Sequence, residues 1–125
     1  MKLDLLICVN AGQGILTLAR VITSAALEES LLDAHFTLQA GISQLEGPVA
    51  AHVRLGAPAG PSPKIPQGSA DFILALDRLE ALRNAHYAAP EAIVLVDETG
   101  APPTSPKPDR ARYPTEEDIK NIFST

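Results

Sequence analysis

The sequence predicts an α/β protein with an open, mainly parallel sheet flanked by helices, and three observations predict this class. Short, nearly continuous apolar runs, typical of strands buried on both faces, occur over residues 3–9, 70–76 and 92–96. Segments with helical spacing separate these runs, and strands that alternate with helices along a chain are typical of parallel sheets. Aromatic residues are few, with three Phe, two Tyr and no Trp, so small aliphatic side chains must fill the core.

The clearest local signal follows the first strand. The apolar run ends in a turn that contains Gly12, Gln13 and Gly14, and from residue 15 to 26 apolar residues recur at steps of three and four, as on one face of a helix. Backbone N–H groups at such a helix start favour an anion such as phosphate, and the glycines permit close backbone approach. The dinucleotide and Walker patterns are both absent, so a tight turn without a ligand stays open as the alternative.

A strand is also predicted over residues 49–55, where apolar and polar residues partly alternate. This spacing places His52 and Arg54 on one face, which indicates a strand at the edge of the sheet or one that faces a site. Arg54 suits pairing with a carboxylate or phosphate, and His52 suits either acid–base chemistry or a hydrogen-bonded structural role. A short strand over 34–38 and a loop over 39–48 precede this segment.

The last third of the chain contains a proline-rich stretch. A helix is predicted over residues 78–87, with the preceding aspartate as its N-cap. Five prolines after residue 99 argue against regular structure until Pro114, which opens a short helix that begins with acidic residues. We therefore expect an α/β domain over residues 1–99, followed by a proline-rich connection with a short C-terminal helix over 100–125.

Composition and charge exclude several classes of function. The formal net charge is −5 and no run of Lys or Arg could follow a phosphate backbone, so a nucleic-acid partner is not expected. The apolar start is too short to cross a bilayer and no cleavage pattern follows it, so we expect a cytoplasmic protein without membrane contact. The single cysteine, Cys8, can hold neither an internal disulfide nor an iron–sulfur cluster alone, and we expect it to be buried and inert. No spacing of His, Cys and Asp indicates a metal site.

Several blocks, read in order, resemble the gamma-type subunit of 2-oxoacid:ferredoxin oxidoreductases, with a particular likeness to the beta subunits of indolepyruvate:ferredoxin oxidoreductases. Residues 11–15 (AGQGI) are similar to a glycine-rich G-G-Q-G turn of that family. Residues 41–47 (GISQLEG) are similar to its G-M-S-Q-R-G-G, and residues 51–56 (AHVRLG) to its S-H-V-R-x-G. Further matching blocks lie within 62–82 and at 114–117, so the resemblance covers nearly all of the chain.

The resemblance implies a role within a larger enzyme. Such enzymes convert a 2-oxoacid, of the indolepyruvate or pyruvate class, to an acyl-coenzyme A and pass the electrons to ferredoxin. Thiamine diphosphate and iron–sulfur clusters lie on other subunits, and the gamma-type domain is Rossmann-like, packs against the catalytic subunits, and in some members helps to form the coenzyme A site. By resemblance, this chain is a non-catalytic subunit that holds no cofactor alone and meets ferredoxin only indirectly. The ligand- or interface-facing residues that the resemblance implies are Gly12, Gln13, Gly14, Gln44, Gly47, His52 and Arg54.

The sequence also departs from that family. Leu45 and Glu46 stand where the family has Arg-Gly, which removes a cation and adds an anion beside the expected anion site. The family normally continues through another strand, so the chain is short at its C-terminus and a sheet edge is expected to be exposed unless a partner covers it. Two alternatives stay open: a free-standing α/β module that binds a nucleotide or coenzyme A at the glycine turn, and a relict docking subunit without a ligand.

Overall fold

The fold is given by a computed structural model, which describes residues 2–10, 14–29, 33–40, 48–56, 63–97 and 114–124. Within these residues the strands are β1 (Leu3–Asn10), β2 (Ala34–Ala40), β3 (Pro48–Leu55), β4 (Ala70–Ala75) and β5 (Ala88–Val96). The α-helices are α1 (Ile15–Glu28), α2 (Arg78–Arg83) and α3 (Glu116–Phe123), and a short 3₁₀ turn over Ala85–Tyr87 follows α2. The described helices include none that is long and apolar enough to cross a membrane.

The strands form one open sheet in the order β2-β3-β1-β4-β5. β4 is parallel to both β1 and β5, whereas β3 is antiparallel to both β1 and β2. The predicted α/β class and the open sheet flanked by helices are confirmed. The sheet is mixed because only residues 41–47 join β2 to β3, and a connection of that length permits a hairpin but not the crossover that parallel strands need.

Alternation along the strands divides the side chains between two faces of the sheet. On one, which we name the α1 face, α1 packs over β2 and β3 and helps to bury Ile7 and Val53. On the other, which we name the α2 face, α2 and α3 pack over a second cluster that includes Leu6, Cys8 and Ile73. The central strand β1 contributes to both clusters, as its continuous apolar run predicted.

The two short helices begin where the sequence predicted. The Asp77 carboxylate caps α2 by accepting hydrogen bonds from the N–H groups of Leu79 at 2.8 Å and Glu80 at 3.3 Å. At the start of α3, Thr115 and Asp118 form a capping box in which each side chain accepts the other's backbone N–H. These caps satisfy N–H groups that a helix start otherwise leaves without partners.

Candidate functional site

The carboxyl end of β1 is where the glycine turn begins. Gly14 precedes α1 with a φ of 77°, in the left-handed region that favours glycine because a Cβ there crowds the following carbonyl. A Cβ added at Gly14 would meet nothing within 4 Å, so backbone conformation and not space selects glycine. No side chain of the described residues caps the start of α1. A helix start of this kind presents N–H groups that favour an anion, as the sequence suggested.

A buried carboxylate lies at the same end of the sheet. Asp77 is 1% exposed, and its Oδ2 accepts a hydrogen bond from Asn10 Nδ2 at 2.7 Å while its other oxygen caps α2. This charge-assisted bond ties the end of β1 to the corner between β4 and α2. Sequence reasoning identified the cap but missed the bond to Asn10. The sequence did contain a signal for this bond. Asn10 and Asp77 are polar residues at the carboxyl ends of two predicted strands, and the carboxyl ends of parallel strands meet at one edge of a sheet.

A cavity of about 260 Å³ lies between α2 and the adjoining ends of β2 and β3. Ala40 and Pro48, the two residues that flank the connection 41–47, both line it. The described residues that line it are Gln39, Ala40, Pro48, Val49, Ala50, Glu80, Arg83 and Asn84. Two amides, one partly exposed guanidinium and small apolar groups suit the binding of a polar ligand, and these residues include no Ser, Cys or Lys nucleophile.

Glu80 is the buried carboxylate of this cavity. Its side chain is 2% exposed, and its Oε1 accepts a hydrogen bond from Arg83 Nη1 at 2.9 Å. Burial raises the pKa of Glu80, and the opposing effect of Arg83 does not cancel the rise. Burial, with the nearby Glu80 charge, also raises the pKa of the Cys8 thiol to about 12. Cys8 is fully buried, which confirms that part of the prediction, and it remains a thiol at neutral pH.

His52 lies in the interior of the protein and both ring nitrogens have partners. Its Nδ1 accepts a hydrogen bond from the Ile65 N–H at 3.0 Å, so Nε2 carries the proton and donates to Gln39 Oε1 at 3.1 Å. The Tyr87 ring meets the imidazole edge-on at a centroid distance of 5.3 Å. Burial, followed by the Lys64 charge, lowers the pKa of His52, so the ring is neutral at pH 7. In this arrangement His52 orients Gln39, which lines the cavity.

Arg54 lies at the opposite end of the sheet from the glycine turn. Its Nε donates to Asp4 Oδ1 at 2.9 Å, and both residues are buried. The Asp71 carboxylate accepts a hydrogen bond from the Asp4 N–H at 2.8 Å. In the register of β1 with β3, Asp4 lies opposite Arg54 and Asn10 lies opposite Pro48. At about 3.3 Å per residue this separates Arg54 from the end of β1 by roughly 20 Å.

The structure therefore brings together only some of the predicted site residues. Gly14 lies at the start of α1. His52 reaches the cavity only through its hydrogen bond to Gln39, and Arg54 is distant from both Gly14 and the cavity. The edge position that the pattern of β3 allowed is wrong, because β3 lies between β1 and β2 and its polar side chains pair with those neighbours. Gly12, Gln13, Gln44 and Gly47 lie outside the described residues. In the described ranges, no three His, Cys, Asp or Glu side chains are grouped as metal ligands.

Because His52 is buried, we expect the free energy of unfolding to change with pH in the mildly acidic range. Because the pKa of His52 is lower in the folded state than its usual 6.5, its contribution to stability is complete above pH 6.5 and is lost as the pH falls through the folded value. We expect urea denaturation to show a decline in the free energy of unfolding below pH 6.5. His52→Asn, which keeps an acceptor for the Ile65 N–H, should remove this part of the decline.

The matched control for this experiment is His86→Asn, since His86 is exposed. It should leave the pH dependence of the wild type unchanged. Parallel stability curves for the wild type and His52→Asn between pH 7 and 5.5 would show that His52 does not titrate differently in the folded and unfolded states.

An open, mixed five-stranded sheet with helices on both faces and a left-handed glycine before its first helix makes this an α/β domain. The family described as pyruvate ferredoxin/flavodoxin oxidoreductase matches residues 4–124, and the chain belongs to this family. The chain is 32% identical over 123 residues to the indolepyruvate oxidoreductase subunit IorB of Archaeoglobus fulgidus, a match that covers 95% of this chain and 58% of that subunit. The family resemblance drawn from the sequence blocks is thus confirmed.

Two solved structures share the fold. The gamma subunit of the keto/oxoacid ferredoxin oxidoreductase of Geobacter sulfurreducens matches with a TM-score of 0.60 and 15% identity, over 85% of this chain and 56% of that one. The 2-oxoglutarate:ferredoxin oxidoreductase of Magnetococcus marinus, solved with 2-oxoglutarate, coenzyme A and succinyl-CoA bound, matches with a TM-score of 0.62 and 14% identity, over 86% of this chain and 18% of that one. The chain thus spans a little over half the length of the IorB and gamma subunits that it matches.

Proposed function

We propose that this chain is an accessory, gamma-type subunit of a thiamine diphosphate-dependent 2-oxoacid:ferredoxin oxidoreductase of the cytoplasm. The complete enzyme would convert a 2-oxoacid, of the indolepyruvate or pyruvate class, to an acyl-coenzyme A and pass the electrons to ferredoxin. The observation that carries this proposal is the family match over residues 4–124, which covers nearly all of the chain. The name of the Archaeoglobus subunit supports the indolepyruvate class.

The residues of the chain support a non-catalytic role. The 125 residues contain one cysteine, whereas an iron–sulfur cluster is held by about four protein ligands. That cysteine, Cys8, is buried and protonated. The cavity beside Glu80 is lined by groups that bind and orient a ligand. We therefore assign thiamine diphosphate and the iron–sulfur clusters to the partner catalytic subunits, and electrons reach ferredoxin without passing through this chain.

The carboxyl end of β1 is our proposed ligand-facing edge. The start of α1, which no side chain of the described residues caps, and the left-handed Gly14 favour an anion there, which supports a role for Gly12, Gln13 and Gly14 toward a phosphate of coenzyme A. Gln44 and Gly47 belong to the connection between Ala40 and Pro48, and both of those flanking residues line the cavity. The bound coenzyme A in the Magnetococcus enzyme is compatible with this ligand class.

His52 and Arg54 enter the proposal as positioning residues. His52 holds the amide of Gln39 toward the cavity through a 3.1 Å hydrogen bond. Arg54 holds β1 and β3 in register at the other end through its pair with Asp4. Neither residue is proposed to contact a ligand directly; each acts by holding other residues of the protein in place.

The experiment that tests the proposed function is a tagged purification from native cells under anaerobic conditions, with untagged cells as the control. We expect a large partner to elute in fixed ratio with the chain and to contain thiamine diphosphate and iron. The eluate should reduce ferredoxin when a 2-oxoacid and coenzyme A are added, and the isolated chain should not. A panel of indolepyruvate, pyruvate and 2-oxoglutarate then identifies the substrate.

The two alternatives give different results in the same experiment. A chain that elutes alone and binds coenzyme A in isolation would be a free-standing binding module, and the subunit role would be wrong. A relict docking subunit would elute with its partner, but Gln13→Glu would leave the KM of the complex for coenzyme A unchanged.

A further inference from the structure

The cavity between α2 and the adjoining ends of β2 and β3 is lined by three side chains that use only half of their polar group within the protein. Gln39, Asn84 and Glu80 each form a hydrogen bond through one polar atom of the side chain. The other polar atom of each side chain has no partner among the described residues. The chemical character of these three remaining atoms indicates which ligand the cavity suits.

Gln39 presents a hydrogen-bond donor to the cavity. The backbone N–H of Ile65 can only donate, so the Nδ1 atom of His52 accepts its hydrogen bond at 3.0 Å and the proton of the neutral ring lies on Nε2. This Nε2–H donates to Gln39 Oε1 at 3.1 Å. The oxygen of the Gln39 amide is therefore occupied, and its amino group is left for a ligand.

Asn84 presents a hydrogen-bond acceptor to the same cavity. The backbone carbonyl of Glu80 can only accept, so the Asn84 amide is oriented with its Nδ2 atom donating to that carbonyl at 2.9 Å. This leaves the Asn84 Oδ1 atom as an acceptor. One amide donor and one amide acceptor, each oriented by a backbone group whose hydrogen-bonding role is fixed, thus line the cavity together.

Glu80 and Arg83 give the cavity two opposite charges that pair with each other. Arg83 Nη1 donates to Glu80 Oε1 at 2.9 Å, and the carboxylate is 2% exposed while the guanidinium is half exposed. A phosphate or carboxylate here would lie beside a buried anion, and a cation would compete with Arg83, so the pair favours an uncharged ligand. The rest of the described lining is small and apolar, which suits short alkyl groups, and consists of Ala40, Pro48, Val49 and Ala50.

We propose that this cavity binds an uncharged secondary amide, and that in the complete enzyme the amide belongs to the pantetheine arm of coenzyme A. A secondary amide carries an N–H and a carbonyl between alkyl groups. The Asn84 oxygen can accept from the N–H, the Gln39 amino group can donate to the carbonyl, and the apolar lining can contact the alkyl groups. The inference rests on the proposed function, which supplies coenzyme A as the ligand.

The cavity lies at the same edge of the sheet as the proposed phosphate site. Pro48 lines the cavity and lies opposite Asn10, the last residue of β1. Gly14 follows Asn10 by four residues, which span at most about 14 Å, and paired strands are about 5 Å apart. Gly14 and Pro48 are therefore separated by no more than about 20 Å, so one extended ligand can place a phosphate at the start of α1 and an amide in the cavity.

The first test is a titration of the full chain, labelled with ¹⁵N, with pantetheine, which carries the amides of coenzyme A and none of its phosphates. We expect the side-chain NH₂ signals of Gln39 and Asn84 in the NMR spectrum to shift and to saturate together. The NH₂ signal of Gln67, an exposed side chain that does not line the cavity, should stay in place. The readout reports on the amides themselves and needs no partner subunit.

The second test is the variant Gln39→Glu, which keeps an oxygen for the His52 N–H and removes the donor that faces the ligand. We expect the Kd of the chain for pantetheine to rise by about tenfold, as for the loss of a hydrogen bond. In the complete enzyme the KM for coenzyme A should rise by a similar factor, and the KM for the 2-oxoacid should not change. The matched control is Gln67→Glu, which makes the same change at an exposed position outside the cavity and should behave as the wild type does.

The outcomes separate this inference from the proposed function. If pantetheine leaves the Gln39 and Asn84 signals in place, and Gln39→Glu does not alter the KM for coenzyme A of an active complex, the cavity assignment is wrong and the proposed function stands. N-acetylalanine methylamide, a peptide with the same amide chemistry, should not displace pantetheine. If this peptide binds as tightly as pantetheine, the cavity takes a polypeptide segment and the assignment to coenzyme A is overturned.

Discussion

Arg54→Met is expected to lower the free energy of unfolding by about 3–5 kcal/mol at pH 7, because it leaves the Asp4 carboxylate buried without its partner. Asp4 is fully buried, and Arg54, 9% exposed, donates to it at 2.9 Å. The remaining cation near Asp4 is Lys2, at 3.3 Å and half exposed, which can compensate only in part. Urea denaturation of the isolated chain measures the loss.

Two further variants separate the ion pair from simple packing. Asp4→Leu/Arg54→Met removes both charges and should recover much of the lost stability, since replacing a buried pair by apolar residues is often neutral or stabilising. Lys2→Met should cost no more than about 1 kcal/mol, as for an exposed pair. If Arg54→Met costs as little as Lys2→Met, the pair is effectively solvated and the structural role assigned to Arg54 is wrong.

Asp77→Ala is expected to lower the free energy of unfolding by about 2–5 kcal/mol. The loss combines a helix cap, worth about 0.5–2 kcal/mol, with a hydrogen bond to a charged group, worth about 1.5–3 kcal/mol. Asp77 provides both, through Leu79 and Glu80 on one oxygen and Asn10 on the other. Chemical denaturation gives the total, and the loss should also increase hydrogen exchange at the end of β1.

A charge swap tests the bond between Asn10 and Asp77 directly. Asp77→Asn alone keeps a good cap but replaces the charge-assisted hydrogen bond by an amide–amide bond that requires the Asn10 amide to turn over, so it should still cost stability. The double variant Asn10→Asp/Asp77→Asn restores a donor facing a carboxylate and should recover most of that loss. Equal stability of the single and double variants would show that the 2.7 Å bond contributes little.

The local elements of the fold were predictable from the sequence. β1, the glycine turn and α1 follow from the change from a continuous apolar run to helical spacing within residues 3–26. The cap at Asp77 follows from a side chain that acts on N–H groups two and three residues away. In each case the residues that determine the structure are close together in the chain.

The candidate site depended on contacts that the sequence does not specify. The spacing of the residues predicted that His52 and Arg54 lie on one face of a strand. It could not predict which residues they contact, because these depend on how β3 pairs with β1 and β2. The cavity combines the ends of a hairpin with α2, which is about 30 residues later in the chain. The position of Asp4 was a partial indication of one such contact. A charge within a buried apolar run requires a partner of opposite charge, but the sequence does not say which residue that partner is.

The burial of Cys8 has a practical consequence for oxygen sensitivity. Oxidation by air proceeds through the thiolate, and the one thiol in these 125 residues is inaccessible and has a pKa of about 12. The isolated chain can therefore be purified, stored and mixed in air without damage at cysteine. In a reconstituted complex, inactivation by oxygen at a thiol or a cluster would then originate in the partner subunits.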